Sequence, residues 1–358
     1  MGEGAMMYLL GFGLAFALTA AVTPVIRRYA LAHGIMDQPN EARKIHKHAV
    51  AYLGGLAIFI GFILALGVMM QPSRQLTALV LGCVLLVVVG VIDDKRGLSP
   101  WVKLIWQFVA AGIALSGGIG ITAITNPLGG VIDLSWGRFA VHLFGLDFHI
   151  APIANAVSLL WMVGLANTIN FLDGLDGLAC GVSGIAAFVI FLLSVGPRVN
   201  QPEVALLAII LAGAAFGFLP YNFYPARIFM GDSGAYFLGL CLAMLSIYSG
   251  AKLATAVLVL GFPIMDAIWA ATRRLAQRKS PFRADRQHFH HLLVDAGMSQ
   301  RQAVLTLYAV AWIFGLTALF IGSFGKLIAL IVLMGLMATS IGALVWFNWL
   351  RQRKLIVK

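Results

Sequence analysis

The chain has 358 residues, 61% of them hydrophobic and 11% charged, with a formal net charge of +11 and a mean hydropathy of +0.92. Globular domains carry about 25% charged residues, so a water-soluble fold is excluded and lipid must solvate most of the apolar surface. The positive charge reads as basic loops that set orientation and meet anionic membrane lipid, with no nucleic-acid partner.

Eleven apolar segments recur from end to end, each long enough for about 30 Å of hydrocarbon. They cover about 6–26, 51–70, 76–92, 101–120, 151–169, 178–195, 202–220, 235–250, 254–271, 303–322 and 326–348. The pattern predicts an all-α polytopic membrane protein of about 11 transmembrane helices, forming one integral-membrane domain over 1–358. The first segment lacks a basic n-region and reads as a retained helix, not a cleaved signal peptide. Alternate connections, with the adjoining helix ends, hold 20 of the 25 Lys and Arg residues; the others hold Arg74, Arg138, Arg198, Lys252 and Lys326. The positive-inside rule therefore puts the N-terminus outside and the C-terminus in the cytoplasm, as an odd number of spans also requires.

Taken in chain order, the first cytoplasmic connection carries Arg43, Lys44, His46, Lys47 and His48, followed by Gly54-Gly55. Alone, such a basic juxtamembrane cluster is a weak signal. The third span ends in Asp93-Asp94. Two adjacent carboxylates at a membrane surface need compensation; the bland reading is a helix end balanced by Lys95 and Arg96, the functional one a base or metal site. The outside connection 121–150 has turn signals at Asn126-Pro127 and Gly129-Gly130 and predicts a short hairpin or surface helix. Next come Asn167, Asn170, Asp173 and Asp176, three residues apart, with Gly174 and Gly177 breaking the helix and exposing backbone. A polar helix contact is the bland alternative. Gly231-Asp232-Ser233-Gly234 opens the eighth span, either as an ordinary N-cap or as a carboxylate aimed at a hard cation. The last basic connection holds Arg283, Asp285, Arg286, His288, His290 and His291. With no cysteine nearby it fits a phosphate- or sugar-binding loop better than a zinc site; a basic face on lipid head groups is the alternative. Cys83, Cys180 and Cys241 lie inside apolar runs and read as packing residues. Every motif falls on the cytoplasmic side, by an orientation argument that did not use them. Oxygen ligands and cationic loops on one face suit Mg2+-assisted handling of a phosphorylated substrate, with the active site at the cytoplasmic face.

Asp93-Asp94, Asn170-Phe-Leu-Asp173-Gly-Leu-Asp176-Gly177, Phe229-Met-Gly-Asp232-Ser-Gly234 and His288-Phe-His290-His291, in this order, resemble the polyprenyl-phosphate N-acetylhexosamine-1-phosphate transferase family over nearly the whole chain. The H-x-H-H form after Asp285-Arg286 resembles the bacterial GlcNAc-1-phosphate branch; the phospho-MurNAc-pentapeptide branch tends towards three consecutive histidines. Arg43 to Gly55 is similar to the same branch, but shows Ala49-Val50-Ala51 where Pro-Val-Pro is usual. The resemblance implies transfer of GlcNAc-1-phosphate from UDP-GlcNAc to undecaprenyl phosphate in the bacterial cytoplasmic (inner) membrane, at the start of O-antigen, enterobacterial common antigen or wall teichoic acid synthesis. It implies Mg2+, replaceable by Mn2+, on Asp232 and Asn170. It implies Asp93 as base or lipid-phosphate positioner, with Asp94 and Asp173 supporting the catalytic site. Asp176 would contact uracil, Lys103 and Lys47 would meet substrate phosphate, and Arg286, His288, His290 and His291 would hold the sugar and diphosphate. A homodimer is also implied. The rivals are UDP-MurNAc-pentapeptide or another UDP-N-acetylhexosamine as donor, an ion-coupled transporter, against which the acidic clusters sit at span ends with only Asp266 well inside an apolar run, and a membrane scaffold.

Overall fold

The computed structural model describes residues 3–37, 49–143, 146–197, 199–248, 253–279 and 287–356. Thirteen helices are assigned there: α1 (Glu3–Ala32), α2 (Gly54–Met69), α3 (Arg74–Arg96), α4 (Pro100–Ser116), α5 (Pro152–Leu172), α6 (Leu178–Val195), α7 (Pro202–Asn222), α8 (Gly231–Tyr248), α9 (Leu253–Val259), α10 (Gly261–Ala276), α11 (Phe289–Asp295), α12 (Gln300–Phe320) and α13 (Ser323–Ile356). Their starts follow the local sequence. Pro100, Pro152 and Pro202 occupy first-turn positions, where a missing N–H costs nothing. Ser73 and Ser99 cap α3 and α4, and Ser299 with Gln302 forms a capping box on α12.

Each of the eleven expected spans meets helix, but they are not equivalent. Among the described residues, eight helices are long and apolar enough to cross a membrane, or nine if the bent pair below counts as one span. α2 and α4 have 16 and 17 residues, so at about 1.5 Å per residue they fall short of a full crossing. The expected ninth span, 254–271, is not a straight helix. α9 and α10 meet at Leu260 with a bend of 77°. Pro263 stands in the first turn of α10, and its ring nitrogen cannot continue the hydrogen-bond ladder across that junction. α10 consequently points away from α9, turning Asp266, Ala270 and Arg274 inward and leaving Ile268, Trp269 and Leu275 exposed.

The centre of the molecule is α8, buried along nearly its whole length against α2, α3, α5 and α6, with α7 held between α1 and α6. α1 and α13 keep apolar side chains such as Leu9, Val25, Ile331 and Leu336 on the outside, where hydrocarbon replaces water as their solvent. The three cysteines are buried and unbridged. The region 121–150 holds two antiparallel hairpins, β3 (Ala123–Thr125) with β4 (Val131–Asp133) and β5 (Phe139–Leu143) with β6 (Leu146–Ile150), after β1 (Met36–Asp37) and β2 (Val50–Ala51). At β2 the chain is extended despite the alanines in place of prolines. Phe229 N–H donates to Ala51 O (2.8 Å), Gly54 N–H to Phe229 O (2.9 Å) and Gly55 N–H to Met230 O (2.8 Å). This stitch ties the start of α2 to the start of α8.

Candidate active site

The site forms where helices end. α3 runs out at Asp93-Asp94 and Arg96, and the chain turns at Gly97 (φ 67°) into the Ser99 cap of α4. That short turn returns Lys103, in the first turn of α4, to the acids it has just left. Its Nζ lies 2.9 Å from Asp93 Oδ2 and 3.0 Å from Asp232 Oδ2. The counter-charge on the acidic pair is therefore Lys103; the adjacent Lys95 and Arg96 are exposed. Asp93 Oδ1 also accepts from Leu98 N–H. Asn170, at the end of α5, donates from Nδ2 to Asp232 Oδ1 at 2.8 Å.

Asp94 has a different task. Its two carboxylate oxygens accept from Asp232 N–H (2.8 Å) and Ser233 Oγ–H (2.9 Å). It caps α8 from another helix, answering the orphan donors of that terminus with a charge the helix dipole favours. This orients Asp232 towards Lys103. Close approach makes it feasible: a methyl at Gly90 would overlap the Ser233 backbone, and one at Gly55 the Gly234 backbone.

The turn 173–177 separates α5 from α6, as its glycines predict, with Gly177 at φ 82°. Burial, then the nearby carboxylates of Asp232, Asp94 and Asp176, push the Asp173 acid up to about 8, against the lowering effect of the Gly231 N–H. Asp176 Oδ2 accepts from Ala226 N–H at 2.9 Å, linking this turn to the segment before α8. Asn167 instead pairs with buried Gln107, its Nδ2 donating to Gln107 Oε1 at 2.6 Å, which is the polar helix contact.

His290 is fully buried against Gly174, where a methyl would collide with its Nε2. Neither of its ring nitrogens has a hydrogen-bond partner among the described residues. Burial, with the rings of His291 and His288 beside it, holds it well below the usual histidine range, so the ring is neutral. The His290 and His291 rings are 4.3 Å apart. His288 is committed elsewhere: Nδ1 is 2.8 Å from Asp266 Oδ2 and Nε2 is 3.2 Å from Arg274 Nη2. Lys47 and Arg286 lie outside the described residues.

Sequence reasoning missed three supports. Asn222, buried at the end of α7, accepts from Gly177 N–H (3.1 Å) and donates to Ile228 O (3.1 Å). Tyr308 on α12 donates to Gly177 O at 2.5 Å. Tyr52, near Asp37, Asp94 and Asp173, is raised above the phenol range first by burial and then by those acids, so it stays a neutral donor. None belongs to a run of polar residues, so no local signal marked them.

Asp93, Asp94, Asp173 and Asp232 are set against one cation, Lys103, among the described residues. That donor set is all oxygen and crowded with carboxyl groups, which fits a hard divalent cation. Among the described residues no three His, Cys, Asp or Glu side chains already surround a common point. A cation here would thus be held by one or two protein oxygens plus substrate phosphate, the usual habit of Mg2+.

A bundle of apolar helices with an acidic, oxygen-donor site at its helix ends defines a polytopic membrane protein built to act at the membrane surface. The family model for glycosyl transferase family 4 matches residues 76–250, which include every acidic motif of the site. The chain is 32% identical to a Bacillus subtilis protein named "Probable undecaprenyl-phosphate N-acetylglucosaminyl 1-phosphate transferase", over 90% of this chain and 87% of that one. It is also 32% identical to the decaprenyl-phosphate N-acetylglucosaminephosphotransferase of Mycolicibacterium smegmatis, over 81% and 77% of the two chains. The undecaprenyl-phosphate alpha-N-acetylglucosaminyl 1-phosphate transferase of Thermotoga maritima is 29% identical over 83% and 86%. The chain belongs to the polyprenyl-phosphate N-acetylhexosamine-1-phosphate transferase family, and is a multi-pass membrane transferase of its GlcNAc-1-phosphate branch.

Proposed function

We propose that this protein transfers GlcNAc-1-phosphate from UDP-GlcNAc to undecaprenyl phosphate, the first membrane step of a bacterial cell-surface glycan. An oxygen of the lipid phosphate bonds to the β-phosphorus, the bond from that phosphorus to the bridging oxygen breaks, and UMP leaves with the electron pair. The observation that carries the reading is Lys103 held between Asp93 and Asp232, with Asn170 on the latter's other oxygen. Phosphoryl transfer asks mainly for in-line positioning and neutralised oxygen charge, and this cluster is built for both.

In this reading Asp232 and the amide oxygen of Asn170 would hold Mg2+, which when bound would neutralise diphosphate oxygens. Lys103 bridges Asp93 and Asp232, offsetting their mutual repulsion, and offers its ammonium to phosphate. Asp93 orients the lipid phosphate; a phosphate monoester is already largely dianionic near pH 7 (second pKa about 6), so positioning outweighs proton removal. Asp94 keeps Asp232 aimed. Asp176 stands by the uracil, and His290 and His291 offer ring nitrogens to the sugar diphosphate. The soluble donor and the lipid-anchored acceptor meet at the cytoplasmic surface of the inner membrane.

Two measurements test this. Purified protein offered UDP-GlcNAc, UDP-GalNAc and UDP-MurNAc-pentapeptide in parallel, with undecaprenyl phosphate, is expected to release UMP from UDP-GlcNAc at the highest kcat/KM. Transfer should stop in EDTA and return with Mg2+ or Mn2+. Preference for the pentapeptide donor, or full activity in chelator, would overturn the assignment. For orientation, single cysteines at Lys279 and Arg138 in a cysteine-free background are expected to react with an impermeant thiol reagent only from the cytoplasm and only from outside, respectively. The opposite pattern would separate the site from the compartment that holds nucleotide sugars.

A further inference from the structure

α11 has seven residues, too few to hold a helical conformation by itself in water. Its place must come from tertiary anchors. His288 precedes it but makes no side-chain cap for it. The cap comes from α10: Asp266, buried to 2% exposure, accepts Phe289 N–H on Oδ1 at 2.8 Å and His288 Nδ1–H on Oδ2 at 2.8 Å. Two turns along the same face of α10, buried Arg274 meets His288 Nε2 at 3.2 Å and lies over the Phe171 ring. A carboxylate can only accept and a guanidinium can only donate. The imidazole between them is therefore the neutral tautomer with the proton on Nδ1, and the Asp266 and Arg274 charges offset each other across it. Both His288 nitrogens are consumed by protein, while the rings of His290 and His291 follow on the helix this arrangement anchors.

We propose that Asp266 is the positioning residue of the histidine segment: by fixing His288 and the first turn of α11 it sets where His290 and His291 stand, and thereby tunes binding of the nucleotide-sugar diphosphate. This rests on the donor-site reading above. It makes His288 a structural link to Asp266 and not a substrate ligand. It also gives the 77° bend before α10 a purpose, because that bend turns the Asp266 face towards α11. The only acid well inside an apolar run of the sequence is spent on holding a helix start.

The test uses the full-length protein with Asp266→Asn and Asp266→Leu. Loss of an outer partner that orients a metal-bound histidine typically costs about 10–100-fold, and a loss on that order is expected where the histidines meet a diphosphate. The KM for UDP-GlcNAc is expected to rise by about that factor, with the KM for undecaprenyl phosphate within about twofold of wild type. Hydrogen exchange of the peptide 287–296 should accelerate about tenfold or more, while α8 keeps its wild-type protection. Adding His288→Gln to Asp266→Asn should cost little more than either change alone, because both cut the same link. If Asp266→Leu does not accumulate in the membrane, the isosteric Asn variant carries the test. Wild-type KM with wild-type protection of 287–296 would overturn the proposal, as would equal rises in both KM values, which mark a general disturbance. If the wild-type protein proved unable to use UDP-GlcNAc, the donor reading would fail, and the exchange measurement would still decide whether Asp266 holds α11.

Discussion

Asp232→Ala is expected to lower the rate of sugar-phosphate transfer by about a thousandfold or more, in protein that still folds into the membrane. Removing a single preorganised polar group from a catalytic site costs about 10²–10³ in kcat, and Asp232 serves several partners. Its Oδ2 holds Lys103 and its Oδ1 holds Asn170. Without it Lys103 collapses onto Asp93, Asn170 loses the acceptor that orients its amide, and the proposed metal loses its one anionic ligand. The fold should survive, because the turn is held by main chain: Gly54 and Gly55 N–H reach Phe229 O and Met230 O, and Asp94 caps the Asp232 N–H whatever side chain follows. UMP release measured with purified protein at saturating donor and lipid, beside a thermal melt, checks both halves. Asp232→Asn separates charge from shape and should fall nearly as far. Activity of the alanine variant within tenfold of wild type, at ordinary Mg2+, would remove Asp232 from the reaction.

Lys103→Met should reduce kcat/KM at least a hundredfold, and it carries a second signature. Taking one partner from a fully buried ion pair costs about 3–5 kcal/mol. Here the Lys103, Asp93 and Asp232 side chains are 21%, 10% and 24% exposed, so solvent screening reduces that to the order of 1–3 kcal/mol. The loss of stability is tolerable; the loss of electrostatics is not. Two carboxylates then face each other with no cation between them, so they should bind a divalent ion more tightly. The Mg2+ concentration for half-maximal activity is expected to fall even as the rate drops, while the KM for both phosphorylated substrates rises. Lys103→Arg should rescue poorly, since a planar fork cannot replace a compact ammonium seated between two single oxygens. An unchanged Mg2+ requirement in Lys103→Met would mean that the lysine serves substrate phosphate alone and does not balance the acidic cluster.

The architecture was legible because hydrophobic runs declare membrane helices residue by residue. All eleven runs became helix, and the glycines at 174 and 177 marked the break between α5 and α6. The acidic motifs were legible for a related reason: charged and amide residues beside apolar spans are costly, and their presence demands a purpose. The connection 121–150 was open between hairpin and surface helix, and resolved as two hairpins. The fracture at Leu260 was hidden, because hydropathy does not change across it; Pro263 was the one local hint.

By itself, the sequence determined the membrane class, the approximate places of the spans, and the chemical types that would gather at helix ends. These are properties of a residue and its immediate neighbours, where transfer free energy and motif spacing act. Only the tertiary structure decided which charges meet. Lys103 finds Asp232 across 129 positions, Asp94 caps a helix 138 positions away, and Asp266 holds His288 across 22. Hydrogen bonds and ion pairs are settled within a few tenths of an ångström. That placement comes from how glycine-lined helices cross and where α10 turns aside, and no window of sequence contains it.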